Sequence, residues 1–300
     1  MRLLLTISLL LAAAASAQDS KPAAQNAAPP AAGKDGKKLF APHHAVLPTN
    51  QILSPAGVQV PLPGVRPLAL ALSPDGRLLV TAGNSKKLLV LNAESGALLQ
   101  ELTFPPDAGK PSGDKKSETQ LGPAPGSQES LTGLVFSPDG SRIYLSNVFG
   151  NIKVFAVSPE HQVTALTTFA IPEARTARRK MEVPAGLALS ADGKKLYVAG
   201  NVANRLHELD AAAGTVLRSW DTGVAPFDVV IAGDKAYVSN SGGRRPGKDD
   251  VTAPAGAGTK VRVDAQRHIA SEGTVTVASL AGQRARRDED HHIRIPRGAR

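Results

Sequence analysis

The amino-acid sequence predicts an all-β fold, a β-propeller made of four-stranded antiparallel blades. Three observations support this prediction. Two short β-rich runs flank the same kind of turn four times along the chain, and further β-rich runs follow these pairs. The unit recurs at about 40–45 residues where it is uninterrupted, which is the repeat length of a propeller blade. Apolar residues stand in short blocks rather than at helical spacing. An open β-sandwich with similar hairpins is the alternative, which four copies of one pattern disfavour.

A tight turn joins the first two strands of each repeat. It reads Ser-Pro-Asp-Gly at 73–76 and 137–140, Ser-Ala-Asp-Gly at 190–193, and Gly-Asp at 233–234. Tight hairpin turns need residues that tolerate positive φ, and this explains the glycine. The aspartates lack the repeated acidic spacing of a calcium loop, so turn chemistry accounts for them.

Two further strands complete each unit. Third strands are predicted at 87–93, 152–158, 205–211 and 274–280, and fourth strands are clearest at 97–104 and 215–222. The predicted blades therefore span about 67–105, 131–171, 185–222 and 226–282, within a partial propeller over 46–282. Blades 1 and 2 are followed by longer connections, and blade 4 carries a long insertion.

The N-terminal region has the features of an exported protein. Residues 1–17 read as a signal peptide, in which Arg2 precedes an apolar core and Ala15-Ser-Ala17 is the cleavage signal. We expect cleavage after Ala17 and a periplasmic or secreted location; an apolar N-terminal helix is the alternative. Residues 18–45 are predicted to be a disordered Ala/Pro/Lys linker, because they have little apolar surface to offset their ordering entropy. No membrane span is expected, since no later stretch reaches the required apolar length.

Composition excludes several kinds of chemistry. The chain has no cysteine, which removes disulfides, thiol nucleophiles and zinc–thiolate sites. Its formal net charge is +9, but the lysines and arginines are scattered over turns and insertions. Single-stranded nucleic-acid binding needs a basic groove with stacking aromatics, whereas aromatic residues make up 4% of the chain. Nucleic acid is therefore not an expected partner.

The repeats resemble the YVTN-type propeller repeat. The matching segments are Leu-Ser-Pro-Asp-Gly at 72–76, Ile-Tyr-Leu-Ser-Asn at 143–147 and Arg-Leu-His-Glu-Leu-Asp at 205–210, and the resemblance covers roughly 50–282. Within this group the chain is most similar to exported YncE-like proteins, in particular those whose propeller precedes an alkaline-phosphatase-type phosphoesterase domain. Residues 241–273 resemble the long blade insertion of those fusion proteins. Propellers of this family usually have seven blades, so the four visible here form an incomplete ring.

The resemblance implies an exported, non-catalytic scaffold that binds a ligand or a protein and is accessory to a phosphoesterase in the fusion relatives. The expected partner is a phosphoesterase domain or another exported protein; no such domain is present in this sequence. A lactonase-like propeller hydrolase is one alternative, although no cluster of acidic and basic residues for it is evident. A YncE-like protein that binds single-stranded nucleic acid is the second alternative.

The insertion at 242–272 is the candidate binding site, because functional residues concentrate on loops held by a rigid scaffold. Its arginines can contact carboxylates or phosphates in a bidentate manner. The candidate ligand- or partner-binding residues are Arg244, Arg245, Asp249, Asp250, Arg262, Asp264, Arg267 and His268. A solvated loop packed by its own charges is the alternative.

No catalytic residue, metal site or cofactor is predicted. The sequence has no nucleophile elbow, phosphate loop or His-Glu-x-x-His motif. The histidine pairs at 43–44 and 291–292 lack the further converging ligands that a metal needs. His207, on a third strand, is expected to be a partly buried surface histidine.

The chain changes character after residue 282. A fourth strand is due there, but 283–300 is an anomalous basic tail without apolar alternation. A frameshift near Gln283 or a truncation would explain both the tail and the missing blades; a genuine basic tail is the alternative. The segment 58–64 is expected to be an outer strand of the kind that completes the last blade of a closed ring. With only four repeats, we expect the blades to leave an open arc.

Overall fold

The computed structural model describes residues 59–83, 87–106, 133–270 and 272–281, together with the backbone of 45–46, 52–53 and 291–295. All elements of these segments are strands, as predicted for an all-β fold. The strands are β1 (Ala45–Val46), β2 (Ile52–Leu53), β3 (Pro67–Leu72), β4 (Leu78–Gly83), β5 (Lys87–Asn92), β6 (Leu98–Thr103), β7 (Leu134–Phe136), β8 (Arg142–Asn147), β9 (Asn151–Val157), β10 (Val163–Ala170), β11 (Pro184–Leu189), β12 (Lys195–Gly200), β13 (Arg205–Asp210), β14 (Val216–Asp221), β15 (Pro226–Ala232), β16 (Lys235–Asn240), β17 (Thr252–Gly256), β18 (Thr259–Arg262), β19 (Gly273–Ser279) and β20 (His291–Ile295). A search of the described residues finds no helix that could cross a membrane.

Four antiparallel sheets of four strands each form the blades. Blade 1 contains β3–β6, blade 2 contains β7–β10 and blade 3 contains β11–β14, each in chain order. Blade 4 contains β15, β16, β19 and β20, because the hairpin β17–β18 is inserted between its second and third strands. The prediction of a propeller with four-stranded blades is therefore confirmed.

The turn between the first two strands is closed by its own side chains. In blade 1, Ser73 Oγ donates a hydrogen bond to Asp75 Oδ1 over 2.6 Å, and the backbone N–H of Arg77 donates to the same oxygen. Blades 2 and 3 repeat this arrangement at Asp139 and Asp192. The bond from the serine hydroxyl is the largest of the effects that lower the pKa of each of the three carboxyl groups. The glycine that follows has positive φ, for example 72° at Gly76. The aspartates thus serve the turn, as interpreted from the sequence.

Consecutive blades pack face to face through apolar clusters. We call the face toward the next blade in the chain the front face and the opposite one the back face. Tyr144 on the front face of blade 2 packs with Leu187 and Leu196 on the back face of blade 3. The Tyr144 hydroxyl is buried there and donates a hydrogen bond of 2.8 Å to the Ala211 carbonyl. Equivalent clusters join blade 1 to blade 2 and blade 3 to blade 4.

Two strand assignments made from the sequence were wrong. The expected outer strand at 58–64 is not formed over its described residues, since Gln59–Leu62 pairs with no strand. Two prolines, Pro61 and Pro63, lack the N–H groups that a ladder needs. Conversely, His291–Ile295 from the supposed basic tail pairs antiparallel with β19 and supplies the fourth strand of blade 4. The exposed edge of β19 can pair with any extended segment, so apolar alternation was not required.

Several predicted features lie outside the described residues. They are the signal peptide at 1–17, residues 18–44 of the linker predicted over 18–45, the histidine pair at 43–44 and the tail segments 283–290 and 296–300. Within the described strands, no sheet contains strands of both blade 1 and blade 4. The blades therefore follow one another without a shared sheet that would close them into a ring.

Candidate functional site

The insertion of blade 4 lies across blade 3. Arg245 donates from Nε to the Thr222 carbonyl (2.7 Å) and from Nη2 to the Asn204 carbonyl (2.5 Å), both in blade 3 connections. At the other end, Thr176 Oγ1 donates a hydrogen bond to the Ala257 carbonyl at the tip of the hairpin β17–β18. Thr176 belongs to the loop 172–182 that leads into blade 3. The insertion is thus anchored at two points on its neighbour.

Asp250 holds the insertion together internally. Arg244 binds its carboxylate with both terminal nitrogens, at 2.6 and 2.7 Å, and Arg262 Nε contacts Oδ1 at 3.0 Å. Arg262 also binds Glu272 at 2.8 Å. The hydrogen bond from Arg244 is the main reason that the pKa of Asp250 lies well below its usual range. These two arginines are therefore neutralised within the loop.

The remaining predicted site residues do not join this network. Asp264 Oδ1 accepts the backbone N–H of Arg267 and of Gln266, which closes a turn and lowers the pKa of the carboxyl group. His268 ends this turn with a φ of 55°. Asp249 is exposed. The eight predicted residues thus fall into an internal network, a closed turn, an anchor at Arg245 and an exposed carboxylate.

The anchored loops present cations that the sequence analysis did not select. Arg175, Arg178 and Lys180 on loop 172–182 and Lys260 on β18 are exposed. We call loop 172–182 and the hairpin β17–β18 together the platform. The run Arg178-Arg179-Lys180 is a basic cluster in the sequence, but the sequence does not show that it lies beside the insertion. The hydrogen bond from Thr176 to Ala257 places loop 172–182, and with it this basic run, beside the insertion.

Blade 3 buries two titratable side chains where loop 172–182 ends. The Glu182 carboxylate accepts backbone N–H groups of Val183, Val202 and Ala203, and burial raises its pKa. His207 is only 1% exposed, so the expectation of a partly buried surface histidine was wrong. The ring contacts Ser219 on β14 and lies close to Gly200 on β12, which has no side chain to displace it, beside the buried Glu182 carboxylate.

The environment of His207 argues against catalysis. Its Nδ1 lies 2.8 Å from Ser219 Oγ, the spacing of a nucleophile and its base. However, Nε2 has no hydrogen-bond partner, and burial lowers the pKa of the ring to about 4. A substrate has no access to an imidazole so deeply buried. The pair is therefore part of the blade rather than an active site.

A cleft of about 640 Å³ opens between blades 2 and 3 at the end where the Asp-Gly turns lie. Three of its charged side chains are already paired, because Asp139 and Asp192 close their turns and Arg142 donates to the Ala211 and Ala212 carbonyls. Among the described residues, no three histidine, aspartate or glutamate side chains are grouped so as to hold a metal ion. The anchored platform is accordingly the surface best arranged to bind another molecule.

No protein-family model matches this chain, and no curated protein does. Among solved structures, it is similar to hydrazine synthase of Kuenenia stuttgartiensis, with 17% identity, a TM-score of 0.48, and coverage of 75% of this chain and 49% of that one. It thus spans about half the length of that protein. The β-propeller domain of Cps50 (Swd1) from Myceliophteria thermophila matches at 12% identity and a TM-score of 0.45, covering 84% and 78%. A protein of unknown function from Bacteroides caccae matches at 13% and 0.44, covering 83% and 66%. These similarities identify no family.

Proposed function

We propose that this protein is an exported, non-catalytic propeller scaffold that binds a partner protein through the platform, as an accessory to a phosphoesterase. The observation that carries the proposal is the anchoring of the platform. Thr176 joins its two loops, Arg245 fixes the insertion that carries the hairpin to blade 3, and the Asp250 network holds that insertion together. A loop that is ordered before binding loses less conformational entropy when a partner docks.

Charge defines the kind of partner surface that the platform fits. Arg175, Arg178, Lys180 and Lys260 are exposed, and the only described acidic contact of Arg175 is a long one of 4.0 Å to Glu173. Exposed cations of this kind steer association with an acidic surface and favour carboxylate or phosphate contacts. We therefore expect an acidic patch on the phosphoesterase domain or other exported partner.

Site-specific photocrosslinking tests the proposal. A photoreactive amino acid is placed at Lys260 on the platform or, as a control, at Lys194 in the turn of blade 3. Crosslinking is induced in intact cells that export the protein, and the adducts are identified by mass spectrometry. We expect the Lys260 position to capture an exported phosphoesterase and the Lys194 position not to capture it. Equal capture by both positions, or retention of the chain in the cytoplasm, would contradict the proposal.

The two alternatives give different results. A lactonase-like hydrolase would turn over aryl esters or lactones as the purified chain. A single-stranded nucleic-acid-binding protein would bind a labelled oligonucleotide at physiological salt, and replacing Arg178 and Lys180 with glutamine would weaken this binding and reduce its salt dependence. We expect neither activity from the purified chain.

A further inference from the structure

The third strand of each blade places one buried side chain at the same register position. Leu89, Lys153, His207 and Thr276 occupy this position in blades 1 to 4, because each pairs with the residue five positions after the turn glycine of its blade. The position is apolar in blade 1 and polar in the other three blades. Burial of three different polar side chains at one position calls for hydrogen-bond partners in each blade.

In blades 2 and 4 this side chain binds the connection that leads into its own blade. Lys153 Nζ donates a hydrogen bond of 2.7 Å to the carbonyl of Pro105, which lies just after blade 1. Thr276 Oγ1 accepts the N–H of Gly223, which lies between blades 3 and 4, at 3.0 Å. The same role in blade 3 would join the buried imidazole to loop 172–182, because this loop is the connection that leads into blade 3.

The imidazole of His207 faces the end of that loop. Its Nδ1 lies 2.8 Å from Ser219 Oγ, whereas its Nε2 has no hydrogen-bond partner among the described residues. The position that a Cβ of Gly200 would take is 3.1 Å from Nε2 and 2.9 Å from Glu182 Oε2. The ring nitrogen and the carboxylate oxygen therefore flank one small space, which exists because Gly200 has no side chain.

The two groups that flank this space are complementary in hydrogen bonding. Glu182 Oε1 accepts the N–H groups of Val183 and Val202, while the described contact of Oε2 is the N–H of Ala203 at 3.0 Å. A carboxylate oxygen has two lone pairs, so Oε2 can accept one more hydrogen bond. Burial lowers the pKa of His207 to about 4, so the ring is neutral near pH 7 and carries one N–H. A serine hydroxyl that donates to Nδ1 leaves this hydrogen on Nε2, beside the space.

We propose that an ordered water molecule binds beside Gly200 and bridges His207 to Glu182. The water accepts a hydrogen bond from Nε2–H and donates one to Oε2, which gives it two of the two to four partners usual for a buried water. A relay of hydrogen bonds then runs from Ser219 through the imidazole and the water to the carboxylate. His207 is thereby a positioning residue that holds the end of loop 172–182, as its counterparts in blades 2 and 4 hold their connections. This inference rests on blade 3 itself and does not depend on what the platform binds.

Nuclear magnetic resonance of the isotopically labelled full chain tests the bridge near neutral pH. Proton–nitrogen correlation spectra report which ring nitrogen carries the hydrogen, and the variant His207→Gln identifies the signals of His207 by their loss. We expect a hydrogen on Nε2 and none on Nδ1. The Nε2 hydrogen should exchange slowly and give a nuclear Overhauser contact to a bound water. A hydrogen on Nδ1, or a hydrogen on Nε2 without a water contact, would overturn the proposal.

Limited digestion with trypsin tests the positioning role, because loop 172–182 carries exposed basic residues. His207→Leu removes the bridge and introduces the residue type that blade 1 has at this position. Lys153→Leu is the matched control, because it makes the same change in blade 2, where it frees a different connection. We expect His207→Leu to speed cleavage within loop 172–182 by about three- to tenfold, since a lost hydrogen bond shifts local opening by about this factor.

The control should leave cleavage of loop 172–182 at the rate of the parent. Circular dichroism confirms that each variant is folded. An unchanged rate in His207→Leu, or equal acceleration by both variants, would refute the positioning role. If His207→Leu does not fold, the spectra of the parent chain decide the proposal.

Discussion

Replacing Gly200, the last residue of β12, with alanine should destabilise the fold. A Cβ at this position would lie 2.9 Å from Glu182 Oε2 and 3.1 Å from His207 Nε2, closer than side chains normally approach. Neither neighbour can move easily: three backbone N–H groups hold the carboxylate, and the imidazole is enclosed within the sheet. Overpacking of this kind costs about 1–3 kcal/mol. The backbone of Gly200 lies outside the positive-φ region, so alanine also restricts the unfolded chain and offsets about 0.4–1 kcal/mol of this cost.

The net loss for Gly200→Ala is therefore centred on about 1.3 kcal/mol, within a range of about 0–2.6 kcal/mol, and the central value corresponds to about 3–5 °C in melting temperature for a domain of this size. Gly273→Ala is the matched control, because a Cβ there would meet only the Asn240 carbonyl oxygen at 3.9 Å. Urea unfolding and thermal melting of both variants give the comparison. Equal stability of the two variants would show that Glu182 and His207 are not packed against Gly200 as described.

Three further predictions concern the blade interfaces, the buried histidine and the insertion. Tyr144→Phe should destabilise the fold by about 0.5–1.5 kcal/mol in urea unfolding, because it removes a buried hydrogen bond, while Tyr237→Phe should have a smaller effect, because Tyr237 is only half-buried. The pKa of His207 falls from 6.5 to about 4 on folding, so stability should decrease as the pH falls through this window, by up to about 3 kcal/mol. The raised pKa of Glu182 has the opposite effect, because it favours the folded state as the pH falls. Since His207→Gln removes the histidine that causes the loss, it should flatten the decrease in stability. An unchanged pH profile would refute the assignment of this loss to His207. Asp250→Asn should release Arg244 and speed tryptic cleavage between 244 and 262, with cleavage elsewhere as the internal reference.

The sequence was sufficient for features that depend on neighbouring residues. Ser73, Asp75 and Gly76 form their turn with hydrogen bonds between residues two to five positions apart, so the turn can be predicted from the local sequence alone. The blade order follows from repetition of such local units. The candidate site depends on hydrogen bonds and ion pairs between residues that are distant in the chain, and the sequence does not predict these contacts. Thr176 contacts Ala257 from 81 positions away, and composition does not say that the carboxylate of Asp250 is already occupied.

The attachment of the insertion also bears on how such a chain can change by recombination. A propeller with independent blades can gain, lose or exchange one blade at a time, because each repeat carries its own contacts. Here blade 4 contributes a loop whose supports, the carbonyls of Asn204 and Thr222, belong to blade 3. If blade 4 alone were exchanged, Arg245 would face a neighbouring blade that had not evolved carbonyl groups in position to accept its hydrogen bonds. Blades 3 and 4 should therefore be inherited as a single cassette, with crossover points confined to the junctions on either side.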